Sequence, residues 1–199
     1  MGYWYGLQGD KLKTIVLKEA GHDEAALGFS LSYNSTVERA KQLFPSFAFK
    51  QGGENKFLES IMIWLDVTAP RFWWQEADTY RVGTSKQSES TMHTISKKPL
   101  TDADFEYPLE GEVLWELNNS IRWYNDPVIQ GEEKKMYLAY IKNQLPEGFL
   151  QRRIWTMNYK GLQNMYNQRK NHRLPQWYYF FGELFTQLEH KEFILKEIK

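Results

Sequence analysis

The chain has 199 residues, 42% of them hydrophobic, with 25 Lys or Arg set against 25 Asp or Glu. That much apolar material can build one domain over 1–199 with its own core. A formal net charge of zero leaves no basic excess for a nucleic-acid polymer, so no such partner is expected. The absence of cysteine excludes disulfides, thiolate nucleophiles and cysteine-based zinc sites.

The histidines, His22, His93, His172 and His190, lack the spacing of a helical metal site, and no metal is expected. No apolar run has the length of a membrane span and no signal-like segment opens the chain, so the expectation is a cytoplasmic protein, of a bacterium or of a phage-infected cell, with no membrane partner. Aromatic residues are abundant (8 Trp, 12 Tyr, 12 Phe), which suits a dense core, subunit contacts or flat ligand surfaces.

In chain order, residues 12–18 read as a strand. Ser35, Thr36, Val37 and Glu38 have the pattern of a capping box opening a helix through Leu43. Gly52-Gly53 predicts a turn. Residues 61–68 alternate, with Ile61, Ile63, Leu65 and Val67 on one face, the pattern of a strand with one side buried. Pro70 then suits a helix start, and a helix is predicted through Phe72, Trp73 and Tyr80 to about Gly83.

Residues 84–111 form a polar Ser/Thr-rich connection, long enough to be functional or disordered. Helices are predicted over 112–125 and 131–144, separated by Asn125-Asp126-Pro127. After the break at Leu145-Pro146-Glu147-Gly148 a long helix is predicted over 149–170, and a last one over 175–188 with Pro175 near its start. Residues 190–199 read as a solvated helix end. The class is α/β (α+β): a central, mostly antiparallel sheet flanked by helices, with a helical C-terminal half.

Three stretches carry a resemblance. The first is LPEGFLQRRIWTMNYKGLQNMYNQRKNHRLPQW, Leu145 to Trp177, with its Leu-Pro, Trp-Thr-x-Asn, Asn and Arg on the following helix, and Gln-Trp. The second is Phe57-Leu58-Glu59 followed by the strand and Ala69-Pro70-x-Phe72. The third is Thr79-Tyr80-Arg81-Val82-Gly83-Thr84 with Ser88-Glu89-Ser90-Thr91-Met92-His93 after a short insertion. Together they cover about half of the chain and resemble the flavin-dependent thymidylate synthase family. In its signature, Arg-His-Arg-x-x-Ser with Asn-Glu-x-Ser-x-Arg, only the third Arg of the triplet is matched here, by Arg81. Glu89 is kept, Thr91 keeps a hydroxyl, and His93 replaces the final Arg. Ser60 stands where the family has a His after Glu59.

The resemblance implies an FAD-bound homotetramer acting on a pyrimidine deoxynucleotide monophosphate. It would convert dUMP to dTMP with methylenetetrahydrofolate and NADPH as co-substrates. The family does without an enzyme thiolate, which suits a chain that has none. Carried over residue by residue, the resemblance makes Arg81, Glu89 and Thr91 catalytic. It gives Glu54, Lys56, Glu59, Asn158, Lys160 and Asn164 to the flavin, with the turn around Glu54 serving another subunit. Gln75, Glu76, Ser88, Ser90, His93, Lys142 and Arg169 go to the nucleotide. Lys160 and Lys142 stand where the family has Arg and keep the charge without the bidentate fork.

On residues alone the alternatives stay open. If 149–170 is one helix, Asn158 and Arg169 project within about 20° of each other, and Lys160 and Asn164 form a second polar stripe about 40° wide. Such stripes also suit a solvated surface helix. The 84–93 segment also suits a solvated loop, and Trp73-Trp74 with Trp177 to Phe181 reads as core or subunit interface. Besides an active enzyme on dUMP or another pyrimidine such as dCMP, the sequence allows a nucleotide- or flavin-binding homologue without turnover, or a purely structural protein.

Overall fold

The computed structural model describes residues 11–196. In chain order its elements are β1 Lys13–Ala20, α1 His22–Ser32, α2 Val37–Phe47, β2 Met62–Pro70, α3 Arg71–Ala77, β3 Thr84–Ser88, α4 Thr91–Thr94, α5 Gly111–Tyr124, α6 Gly131–Gln144, β4 Leu150–Asn158, α7 Tyr159–Arg169 and α8 Pro175–Gln187. The strands form one antiparallel sheet in the order β1-β2-β4-β3, which gives the α/β class and central sheet expected from the sequence. The described residues fall into two compact units, one of 11–12, 68–75 and 88–152, the other of 13–67, 76–87 and 153–196.

The first unit is built on the α5–α6 hairpin, whose bounds agree with the predicted helices. Its core is the layer Ile95, Leu100, Phe105, Leu117, Ile121, Ile141 and Leu145. The polar 84–111 connection is therefore ordered: it contains β3 and α4, and plants Ile95, Leu100 and Phe105 in that layer. Asn118 of α5 holds it by accepting the Leu100 N–H at 2.7 Å and donating to the Leu100 carbonyl at 2.9 Å, and Asn125 donates to the Ser96 carbonyl at 2.7 Å. Buried backbone groups thereby find partners that no regular ladder supplies.

In the second unit Ile63, Leu65 and Val67 of β2 are fully buried, as the alternation requires. Phe29 of α1 and Phe44 of α2 meet Phe57, with Phe44 and Phe57 stacked at 3.9 Å. Phe193 closes this cluster, so the C-terminal segment is not simply solvated: Phe193 and Ile194 are buried, while residues 197–199 lie outside the described residues. Along the outer edge of β1, Glu183 and Gln187, one turn apart on α8, accept the N–H groups of Thr14 and Val16, and Gln187 donates to the Thr14 carbonyl at 2.8 Å.

Three predicted elements are corrected and one further element was not foreseen. Residues 149–170 are not one helix: β4 fills 150–158 and α7 only Tyr159–Arg169. The alternation that decides this is Trp155 and Met157 inward, both fully buried, within an Ile-Trp-Thr run that favours a strand. α3 stops at Ala77, well before Gly83, because 78–84 is pinned as a turn. The cap of α2 is Thr36, whose hydroxyl accepts the Arg39 N–H at 3.2 Å, one residue later than the box at Ser35. Finally, α1 was not anticipated. Ala25, Ala26 and Phe29 are buried while Leu27 and Leu31 are exposed, so its apolar residues mark no single face.

Candidate functional site

The N-terminus of α7 opens onto a cavity of about 720 Å³ in the second unit. Asn158 is the N-cap of α7, with its side-chain oxygen accepting the Gly161 N–H at 2.8 Å. That bond uses the acceptor end of the amide and leaves the NH2 end toward Gly83. Gly83 has φ +68°, and a Cβ there would lie 2.6 Å from the Asn158 amide nitrogen, so glycine is required both for the turn and for the close approach. Two residues on, Lys160 donates to the side-chain oxygen of Asn55 at 2.5 Å. Asn55 is buried and is itself oriented by donating to the Ala48 carbonyl at 3.1 Å. Asn164, one turn further, accepts from Gln168 at 3.2 Å.

The 79–84 turn, whose Gly83 carbonyl accepts the Asn158 N–H at 3.2 Å, forms the adjoining part of the lining. Lys86 donates to the Tyr80 carbonyl at 3.0 Å and lies over the Trp155 ring at 4.6 Å. The Thr84 hydroxyl donates to the same carbonyl at 3.1 Å. Arg153 spans both carboxylate oxygens of Asp78, each at 3.0 Å, and Lys86 adds a second cation 3.6 Å from it. Burial pushes the Lys86 ammonium below its ordinary pKa, and Asp78 pulls against that shift. Arg81, whose Nε donates to the Asp78 carbonyl at 3.5 Å, and Glu59 also line the cavity.

The lining is therefore rich in donors: the NH2 ends of Asn158 and Asn164, the Lys160 ammonium and the Arg81 guanidinium. It also receives the positive end of the α7 dipole. Glu59 is the one carboxylate among the lining residues. Such a surface suits an anionic ligand rich in hydrogen-bond acceptors.

Five of the sequence-predicted residues, Glu59, Arg81, Asn158, Lys160 and Asn164, thus come together. The correction to β4 changes their grouping: Asn158 lies beyond the start of the helix, so the stripe it was to share with Arg169 does not exist, and it joins Lys160 and Asn164. Glu54 and Lys56 line a second cavity of about 550 Å³, which shares Glu59 with the first. There the Tyr33 hydroxyl donates to Glu54 at 3.3 Å and Lys50 pairs with it at 3.5 Å.

Arg169 and Glu76 occur together but outside the cavity lining. A single Glu76 oxygen receives Arg169 at 3.0 Å, the Trp177 indole N–H at 3.0 Å and His172 Nε2 at 3.3 Å. His172 Nδ1 accepts the Leu174 N–H, which places its proton on Nε2. Arg169 Nε donates to the Tyr80 hydroxyl at 3.0 Å.

The remaining predicted residues belong to the first unit. Gln75 donates to Glu147 at 2.9 Å. Ser88, Glu89, Ser90, His93 and Lys142 have exposed side chains and Thr91 is half-buried. The Glu89 main chain fixes the segment there, its N–H donating to the Arg152 carbonyl and its carbonyl accepting the Gln151 side-chain amide, each at 2.9 Å. Trp73, Trp74, Trp177 and Phe180 are fully buried core residues, whereas Tyr178 is 75% exposed.

Sequence reasoning missed Asn55 and Lys86, because a lone Asn after a Gly-Gly turn and a lone Lys in a Ser-rich run carry no pattern. It also missed a cluster of Glu19, Glu189 and His190, whose ligand-type atoms lie within 4.8 Å of one another. Glu19 accepts the hydroxyl of Tyr159, and burial together with that carboxylate drives the phenol strongly upward in pKa.

No protein-family model matches the chain, and no curated protein sequence matches it. Solved structures do. One is the flavin-dependent thymidylate synthase ThyX from Helicobacter pylori complexed with FAD and dUMP: TM-score 0.73, 17% identity, 94% of this chain and 100% of that one covered. A second structure of that enzyme with FAD and dUMP gives TM-score 0.71 and 14% identity, over 93% of this chain and 97% of the other. With fewer than one residue in five shared, the chain has the fold of the flavin-dependent thymidylate synthases in a widely diverged sequence.

Proposed function

We propose that the cavity at the start of α7 binds FAD and that the protein transfers a one-carbon unit to C5 of a pyrimidine deoxynucleotide monophosphate, dUMP becoming dTMP. The observation that supports this most is the donor lining: both Asn158 and Asn164 have their amide oxygens engaged within the protein, beside Lys160 and Arg81. An anionic dinucleotide, with phosphate oxygens and a ring edge of carbonyl and imine acceptors, fits that set. Asn158, Lys160 and Asn164 would hold the cofactor, with Glu59 and Arg81 facing it. When bound, reduced FAD supplies the hydride. Methylenetetrahydrofolate, as carbon donor, and NADPH, as reductant, would be the co-substrates.

The work of the chain is then to bind and orient. The α7 N-terminus and the cations offset ligand charge, and the Gly83 turn lets backbone and Asn158 approach closely. Arg81, Glu89 and Thr91 are the groups assigned to the reacting pyrimidine, with Gln75, Ser88, Ser90, His93 and Lys142 assigned to holding the nucleotide. The protein acts in this reading as a homotetramer, in which Glu54 and Lys56 of the second cavity serve a neighbouring copy, and it resides in the cytoplasm.

A second reading, a homologue that binds the ligands without turnover, is favoured by one observation: the Arg169 guanidinium is already taken by Glu76 and Tyr80. One experiment separates the two. The purified protein should show flavin absorbance, and reduced flavin should be oxidised faster when dUMP and methylenetetrahydrofolate are added. A yellow protein indifferent to dUMP and dCMP would support the second reading. A protein that neither carries nor takes up FAD would overturn both.

A further inference from the structure

The Glu76–Arg169–Tyr80 chain points to a role that none of the assignments above gives to Tyr80. Resting on the flavin reading of the cavity, we propose that Tyr80 is a ligand-binding, specificity-determining residue. Its hydroxyl is aimed into the cavity by Arg169, which Glu76 in turn holds in place.

The direction of each bond fixes the next. A guanidinium can only donate, so at the 3.0 Å contact between Arg169 Nε and the Tyr80 oxygen the phenol is the acceptor. The single phenolic proton must then point away from Arg169. It is directed at Gln168 Oε1, 3.0 Å away, and both Tyr80 and Gln168 line the cavity. Gln168 is an exposed residue, so its carbonyl is an acceptor that an incoming ligand can replace. Arg169 cannot swing freely, because its NH1 is bonded to Glu76 and its plane lies near the rings of Tyr80 and Trp177, at 5.7 and 5.3 Å. Glu76 is anchored in turn by Trp177 and His172.

The result is a preset donor in the cavity wall that rewards a ligand presenting an acceptor at that point and leaves a donor-only group unpaired. A lysine at position 169 would retain the charge facing Glu76 but lacks the fork that serves Glu76 and Tyr80 at once. Arg169 and Glu76 are on this account positioning residues, whereas Tyr80 touches the ligand.

The test uses FAD as the probe, titrated by quenching of its fluorescence against the wild-type chain, Tyr80→Phe, Arg169→Lys and the double variant. Tyr80→Phe keeps the ring that packs on Trp177 and should weaken binding about tenfold, the size of one lost hydrogen bond. Arg169→Lys should weaken it comparably, and the double variant should be no worse than Tyr80→Phe alone, because Arg169 acts through Tyr80. Unchanged binding by Tyr80→Phe, or losses that add in the double variant, would overturn the proposal.

A ligand-free measurement keeps the two readings distinguishable. The Arg169 Nε–H resonance of the 15N-labelled protein should shift on Tyr80→Phe, and an unshifted signal overturns the relay whatever FAD does. A wild-type chain that binds no FAD but shows the shift overturns the flavin reading and, with it, the role of Tyr80 as a ligand for FAD, leaving the Arg169–Tyr80 bond as a support of the 79–84 turn.

Discussion

The two compact units treat their polar residues differently. In the hairpin unit an aliphatic and aromatic layer carries the packing, and the polar side chains of 88–93 mostly stand in solvent while backbone bonds hold the segment. In the cavity unit polar groups are positioned by other polar groups: Asn55 orients Lys160, the Gly161 N–H orients Asn158, and Glu76 orients Arg169. A polar residue becomes a binding group when a second residue fixes which of its ends faces the ligand. Two departures from the signature of the resembled family, Thr79 and Tyr80, lie in a turn whose backbone is held firmly, so these altered side chains are presented in a defined geometry.

That comparison can be broken at several points. Phe44→Ala, which removes the ring stacked on Phe57 beneath the second cavity, should cost about 3–5 kcal/mol in urea unfolding, as buried Phe truncations do. A loss below about 1 kcal/mol would mean that the aromatic cluster is not what supports the cavity unit. Gly83→Ala adds left-handed strain and drives a Cβ against Asn158, so a loss of about 1–3 kcal/mol is expected together with weakened FAD binding. Stability lost with FAD affinity intact would show that the close approach of Gly83 and Asn158 does not shape the site.

Asn158→Ala removes the α7 cap and should cost about 1 kcal/mol. Because it also removes a cavity donor, FAD affinity should fall in the same variant, and binding at wild-type strength would take Asn158 out of the site.

The smallest effect concerns pH. Burial lowers the pKa of His22 from its ordinary 6.5, with His190 and Lys41 pushing the same way and Asp23 and Glu192 opposing. The unfolded chain therefore takes up this proton first as the pH falls. The stability tied to His22 is full above 6.5 and declines as the pH drops through the lowered value. His22→Phe, which keeps a ring against His190 and Phe44, should flatten that slope in unfolding curves measured from pH 7 to 5.

Much of the architecture was legible because the local signals were periodic. β2 announced itself through Ile63, Leu65 and Val67, and α5, α6 and α8 through length and flanking breakers. β4 was misread because Gln151, Arg152 and Arg153 look helical and only Ile154, Trp155 and Thr156 argue for a strand; pairing in the sheet decided between them. Of the site, the residues carrying a spacing (Asn158, Lys160, Asn164) could be picked out, and so could Arg81, from its motif. Asn55, Lys86 and the Tyr80 relay could not, because each depends on a partner between 6 and 105 positions away that only folding brings near.

The α8 side chains along β1 have a consequence for how copies of this protein can meet. An unpaired rim of a sheet is a template onto which another chain can lay its own backbone, the first step of runaway fibre growth. Here that template is occupied from within at Thr14 and Val16. Association between copies is thereby steered away from main-chain zippering on this rim and toward meetings of side-chain surfaces, which can be closed, symmetric and finite.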